Sequence, residues 1–340
     1  MVIIGIDPHK ATHTAVVVDE HENVLAQLQV RATSKQREQL LEFAKPFADR
    51  TWAVESAGGL GDLLARELVD AGEHVVDVPP TLAARVRLLG SGKAQKNDPN
   101  DARSTAIAAL RHPQLHAPRA DNDAVALRLL VDRHQDLGVL RTRTVNRLHA
   151  LLCALTPGGH PRRMTADQAQ RVLRSVRPST PVDTTRKQMA ADLVADVRRL
   201  DRDIATSKNR LVEAVAASKT TLTDLYGVGP IIAATIIGHV ADVRRFPTRD
   251  HFASYNGTAP IEASSGPKKR HRLNPRGNRT LNYVLHMAAV TQIANDTPGR
   301  AYFDRKLAEG KSKKEALRAL KRKISDAVYS QLVIDSQREI

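Results

Sequence analysis

Four acidic side chains within the first 101 residues stand where a divalent cation would want them. Asp7 closes the apolar run Val2-Ile3-Ile4-Gly5-Ile6, and Glu55 follows Trp52-Ala53-Val54. Asp98 and Asp101 lie three apart in Lys96-Asn97-Asp98-Pro99-Asn100-Asp101-Ala102. A carboxylate at the end of a buried strand is costly unless a counter-charge meets it. Mg²⁺ takes hard oxygen ligands, usually one or two carboxylates together with substrate phosphates. The three-residue spacing puts Asp98 and Asp101 on one helix face. Together the four acids offer oxygens for two metals, the arrangement that activates an attacking oxygen and stabilises a leaving one. Capping is the plainer explanation of the second pair: Asp98 as N-cap, Pro99 at the first helical position and an acid at the third. It leaves Asp7 and Glu55 unexplained.

These acids sit in a basic chain. Of 340 residues, 52 are Lys or Arg and 37 are Asp or Glu, a net charge of +15, with a pI near 10.2. Such a balance favours a polyanionic partner and salt-sensitive binding. Five Phe, five Tyr and one Trp are few for stacking single-stranded bases. Recognition of duplex or folded nucleic acid through phosphates and shape fits better. A lone Cys153 excludes a disulfide framework and a cysteine zinc site. The start lacks a basic signal-peptide region and no apolar run approaches 18 residues, so the expected compartment is the cytoplasm.

The elements that must position the acids read as an α/β domain. Residues 2–7, 13–18 and 24–30 are three strands of a meander, and 51–55 and 75–78 are two more. Helices are predicted over 34–48 (Ser34 as N-cap), 60–71 (stopped by Gly72), 81–90 and 99–111. Three meander strands followed by strand–helix alternation is the order of a ribonuclease H-like sheet. From 121 to 156 and from 185 to 218, apolar residues recur at helical spacing around a Pro/Gly/Thr/Arg-rich connector. This reads as an antiparallel coiled-coil arm. The last third is mostly helical. It opens with Leu225-Tyr226-Gly227-Val228-Gly229-Pro230, which resembles a helix-hairpin-helix turn, and closes with a basic amphipathic helix over 306–324. Domain bounds of 1–118, 119–218 and 219–340 follow.

Several segments resemble one transposase group in order and at compatible spacing. In the first domain they are Gly5-Ile6-Asp7-Pro8-His9-Lys10, Val54-Glu55-Ser56-Ala57-Gly58, Leu68-Val69-Asp70-Ala71-Gly72 and Lys96-Asn97-Asp98-Pro99-Asn100-Asp101-Ala102. In the last they are Leu225 to Pro230, Phe246, Phe252-Ala253-Ser254-Tyr255-Asn256-Gly257, Ala259-Pro260, Ser265-Gly266 and Gly277-Asn278. Each is weak alone. The ordered set is similar to the DEDD-type insertion-sequence transposases of the IS-one-ten family, with the related Piv-type DNA invertases.

That resemblance implies a RuvC-like, Holliday-junction-resolvase-type first domain, with Asp7, Glu55, Asp98 and Asp101 as a tetrad for Mg²⁺ or Mn²⁺. It implies a nucleophilic serine, here Ser265, forming a covalent phosphoserine link to DNA. It implies a homodimer or homotetramer that joins donor and target DNA under the direction of a structured bridge RNA. Ser264 is adjacent, and Ser265 is preferred because Gly266 follows it. Ser254 is a third candidate in a segment that reads as helical and partly buried. Lys268, Lys269, Arg270, Arg272, Arg276 and Arg279 flank the serine and are expected to clamp nucleic-acid phosphates. Asn282 stands where the family often has Arg.

Other classes fit less well. A water-using metal nuclease needs the tetrad but not the serine. A sugar kinase or actin-like ATPase needs Gly and hydroxyl residues after its first Asp, where Pro8-His9-Lys10 stand. A non-catalytic scaffold would be indifferent to Asp7. The thirteen histidines show no zinc spacing; for His9 and His13, near Asp7, the two readings are a substrate contact and a surface role, and the surface role is preferred.

Overall fold

The computed structural model describes residues 1–91, 97–112, 114–118, 123–157, 160–161, 164–262, 271–272, 274 and 277–338. The side chains of residues 89–91, Glu262, His271 and Arg272 are outside the description. The chain forms two compact units, Met1–Ala120 and Asp121–Ile340.

The first unit is a five-stranded mixed sheet. Its elements are β1 (Val2–Pro8), β2 (Thr12–Val18), β3 (Val24–Arg31), α1 (Gln36–Ala44), β4 (Arg50–Glu55), α2 (Asp62–Asp70), β5 (Val75–Val78), α3 (Pro80–Ser91) and α4 (Asp98–Arg111). The strand order is β3-β2-β1-β4-β5. β1 pairs antiparallel with β2 and parallel with β4, so it is central, and it is apolar up to Asp7. This is the ribonuclease H-like order expected from the meander and the alternation.

Side chains alternate between the faces of a strand, and the two faces have separate cores. Ile4, Ile6, Ala15, Val17, Trp52 and Val54 pack with Leu40 of α1 and with Leu64 and Leu68 of α2. Ile3, Val16, Val18 and Ala53 pack with Ala83 of α3 and with Ala102 and Ala106 of α4. Small residues on α4 let it lie directly on the strands. The first helix is shorter than its sequence suggests: it begins at Gln36, without a side-chain cap from Ser34. Its end is set by Pro46, which lacks the N–H needed to continue.

The second unit is helical. α5 (Asp123–Leu155) and α7 (Pro181–Ala217) run antiparallel: Leu127 and Val131 meet the end of α7 at Leu211 and Val215, while Leu148 and Leu152 meet Ala190 and Val194. The connector between them carries a helix of its own, α6 (Ala166–Ser175). A capping box starts it, with Thr165 and Gln168 bonding reciprocally. α7 begins at Pro181, four residues before its expected start, with Thr180 as N-cap.

Then follow α8 (Pro230–Val240), α9 (Arg249–Tyr255), the short strands β6 (Ile261–Glu262) and β7 (His271–Arg272), α10 (Arg279–Ala294), α11 (Pro298–Ala308) and α12 (Lys313–Arg338). The predicted tail helix over 306–324 is two helices, broken at Gly310 with φ +86°. In the Gly227-Val228-Gly229 turn, Gly227 has φ +85° and its missing Cβ leaves room for the Ala288 backbone. That glycine is required by packing against α10.

Candidate active site: an acidic cluster on one sheet face

Asp7 and Glu55 are neighbours because β1 and β4 run parallel in register. Ile6 pairs with Val54, so the next residue of each strand, Asp7 and Glu55, follows at the same level on the α4 face. α4 crosses that face. A side chain at Gly5 would collide with Ala102 O, so its absence lets the helix backbone rest on β1. The first turn of α4 thereby carries Asp98 and Asp101 to the strand ends.

His9 brings together two of the four carboxylates, Asp7 and Asp98, while Glu55 feels the charges of Asp7 and Asp101. His9 Nε2 lies 3.2 Å from Asp7 Oδ2 and 3.3 Å from Asp98 Oδ1. Thr105 Oγ1 donates to Glu55 Oε2 at 3.2 Å, and Arg87 of α3 pairs with Asp101. The Asp7 side chain is only 10% exposed, while those of His9 and Asp98 are 44% and 43% exposed, so the cluster runs from the interior to solvent. Burial pushes the Glu55 carboxyl above its ordinary range. The nearby Asp7 charge and, more weakly, that of Asp101 add to the rise, while the Thr105 hydroxyl and Arg87 oppose it.

Such crowding of negative groups suits a cation. One ligand atom each from Asp7, His9 and Asp98 lies within 4.8 Å of the others, the compactness a single divalent ion requires. Beside Asp98 an open groove of about 500 Å³ runs over β2 and β3, lined by Thr14, Gln27, Gln29 and Asn97.

Asp98 is not the helix cap. Asn97 is: its side chain accepts from Asn100 N at 2.9 Å, and Asp98 occupies the first helical position. Two adjacent residues were both competent caps, and the one that caps leaves the Asp98 carboxylate available. His13, expected at the surface, is buried and bonds Gln36 at 3.0 Å on the opposite face. Position 13 alternates with Thr14 on β2, so it faces the α1 side of the sheet.

In the second unit, Ser265 lies outside the described residues, as do Ser264, Lys268, Lys269, Arg270 and Arg276, and the side chain of Arg272. Ile261 pairs with Arg272 and Glu262 with His271. Asn278 N donates to Tyr255 O at 2.7 Å, and Gly277 abuts the backbone of Gly257 where no Cβ would fit. Arg279 is exposed at the start of α10. Ser254 is helical, but exposed and not partly buried as expected. Asn282 Nδ2 donates to Asn256 O at 3.0 Å, and its Oδ1 accepts from Lys321 Nζ at 2.6 Å. Burial, with the nearby Arg279 charge, lowers Lys321 to about 8.

No motif pointed to His239. Arg128 Nη1 and Asn278 Nδ2 both donate to its Nδ1, at 2.8 and 2.9 Å. The ring is therefore the neutral Nε2–H tautomer. Burial and then Arg128 lower its pKa to about 4. A lone histidine in an apolar helix carries no pattern; only the fold shows that it ties α5 to the α10 N-cap.

Residues 4–157 match the model of a DEDD-type transposase family, described as Transposase. Residues 219–304 match a second model, described as Transposase IS116/IS110/IS902 family. The chain belongs to the IS110/IS116 transposase family. Relatives include the insertion element IS110 uncharacterized 43.6 kDa protein of Streptomyces coelicolor, 28% identical over 97% of this chain and 94% of that one. The insertion element IS116 uncharacterized 44.8 kDa protein of Streptomyces clavuligerus is 26% identical, with the same coverage. Among solved structures, T. thermophilus RuvC in complex with a Holliday junction substrate matches 34% of this chain and 98% of that one, with 19% identity and a TM-score of 0.28. The protein is thus an insertion-element transposase, an enzyme class that cuts and rejoins DNA. Among the described residues no helix is long and apolar enough to cross a membrane.

Proposed function

We propose that this transposase moves its insertion sequence through a serine nucleophile, Ser265, working with a metal centre formed by Asp7, Glu55, Asp98 and Asp101. The observation that supports the reading is the meeting of Asp7 and Asp98 beside His9, with Glu55 at the parallel strand end within reach of the Asp7 charge, in a chain of net charge +15. Bound Mg²⁺ would polarise the scissile phosphate and neutralise charge developing in the transition state, worth several kcal/mol. Asp7 and Glu55 fix the deep side of the centre, and Asp98 its open side. Arg87 and Thr105 hold Asp101 and Glu55 in place.

In the transfer, the Ser265 Oγ–P bond forms as one P–O ester bond of the DNA breaks. The serine proton leaves with a base or solvent, and the departing DNA oxygen takes up a proton. One phosphodiester replaces another, so strands can be resealed by the reverse step without ATP. Lys268, Lys269, Arg270, Arg272, Arg276 and Arg279 are assigned to phosphate contacts around this serine. The working parts are a catalytic domain over 1–118, an arm over 119–218 and a serine-bearing domain over 219–340. They assemble as a homodimer or homotetramer on donor and target DNA guided by a bridge RNA.

The test is to incubate the full chain with Mg²⁺, RNA transcribed from the element's flank and matching DNA, and to separate protein–DNA adducts under denaturing conditions. Wild type should give an adduct and Ser265→Ala none. Cleavage that survives Ser265→Ala would favour a water-using nuclease and refute the serine assignment.

A further inference from the structure

We infer that His9 is itself a metal ligand, giving one ion of the centre a nitrogen donor and a preference for Mn²⁺ over Mg²⁺. The inference rests on the reading of the acidic cluster as a metal centre and adds to it a residue outside the four acids. His9 follows Asp7 by two residues in the β1–β2 hairpin, where His9 N donates to Thr12 O at 2.9 Å. Pro8, paired with His13 at the end of β1, restricts the chain on entry to that turn. The ring is thereby folded back over the strand end. Its Nε2 stands 3.2 Å from Asp7 Oδ2 and 3.3 Å from Asp98 Oδ1.

Adjacent ligands of an octahedral ion with bonds of about 2.1 Å are about 3 Å apart. Both spacings suit neighbouring positions in one coordination shell. A protonated ring in this position bridges the two carboxylates, from β1 and α4, as an ion pair. When the ring is neutral, Nε2 offers a lone pair to the same point. With His9 and Asp98 both about two-fifths exposed, positions on the open side remain for water and a phosphate oxygen.

The donor set decides the metal. Carboxylates alone suit Mg²⁺ and Mn²⁺ alike, whereas imidazole suits transition ions. Mg²⁺ dehydrates reluctantly and favours oxygen. Two carboxylates and one imidazole therefore select an ion that accepts both donors, which among the two proposed here is Mn²⁺.

The experiment titrates the full chain, without nucleic acid, with Mn²⁺ and with Mg²⁺ in competition. Bound Mn²⁺ is examined by pulsed electron paramagnetic resonance for coupling to nitrogen. Wild type should show ¹⁴N coupling that changes to a ¹⁵N pattern after ¹⁵N-histidine labelling. His9→Gln should lose the coupling and lower the Mn²⁺:Mg²⁺ affinity ratio by about tenfold or more, with Mg²⁺ binding much less affected. The wild-type spectrum does not depend on how the variant folds. Mn²⁺ bound without nitrogen coupling, or coupling that persists in His9→Gln, overturns the His9 assignment and leaves the acidic centre standing. Failure of wild type to bind either ion, or binding unchanged by Asp7→Asn, overturns both.

Discussion

Gly5 and Ala102 meet backbone to backbone. A Cβ on Gly5 would overlap Ala102 O and come within 2.6 Å of Ala106 N. Asp7 lies two residues beyond Gly5, and Asp101 immediately precedes Ala102. The contact therefore sets the distance between the strand-end acids and those on α4.

Gly5→Ala should push α4 off the sheet without altering any acid. Overpacking of this kind costs about 1–3 kcal/mol, which denaturant unfolding will show. Calorimetric titration with a divalent ion should show an affinity loss of about tenfold or more, since ligand geometry is demanding. Unchanged affinity in a destabilised protein would mean that α4 is not what gathers the ligands.

Asn97 and Asp98 should separate stability from function. Asn97→Ala removes the cap bond to Asn100 N and should cost about 1 kcal/mol, with cation binding retained. Asp98→Asn should do the reverse, with near-wild-type unfolding and weakened cation binding. The paired measurements are chemical denaturation and calorimetry on each variant.

Glu55 should be a residue whose ionisation destabilises the cation-free fold. Its folded pKa is raised, first by burial and then by Asp7. Between the ordinary glutamate value and that raised value the native state holds more protons than the unfolded chain. Stability therefore falls as pH rises through this window. At pH 7 and without cation, Glu55→Gln should melt a few degrees above wild type. Adding Mg²⁺ should raise the melting temperature of wild type and leave the variant nearly unmoved.

His239 acts with the opposite sign. Its folded pKa is lowered from 6.5 to about 4. As pH falls from 7 toward 5 the unfolded chain takes up a proton that the native ring refuses, so stability is lost. His239→Asn, whose amide oxygen can accept from Arg128 and Asn278, should flatten that dependence. Denaturation midpoints at pH 7 and pH 5 for both proteins provide the comparison. An equal decline in both would remove His239 as a cause.

The order of strands and the strand-end acids could be read from the chain because both depend on local pattern. Apolar runs ending in Asp7 and Glu55 declare a strand and its edge without reference to distant residues. What could not be read depends on three-dimensional pairing. Arg87 meets Asp101 only because α3 packs against α4, and His9 meets Asp98 only because a hairpin end faces a helix start. Asn97 and Asp98 are equal cap candidates by type, so local chemistry could not choose between them. α6 was obscured by the composition of its surroundings, although Thr165-x-x-Gln168 was a capping signal in plain view. The break at Gly310 was similarly masked by an amphipathic pattern that continues on both sides.

The measurement closest to the centre of these proposals follows the covalent protein–DNA adduct across Mg²⁺ concentration, for wild type and Asp7→Asn on the same DNA and RNA. Adduct should rise to saturation with Mg²⁺ in wild type, vanish on chelation, and stay at background in Asp7→Asn. Equal adduct in the presence of chelator, or in Asp7→Asn, would contradict the assignment of these carboxylates to a catalytic metal centre.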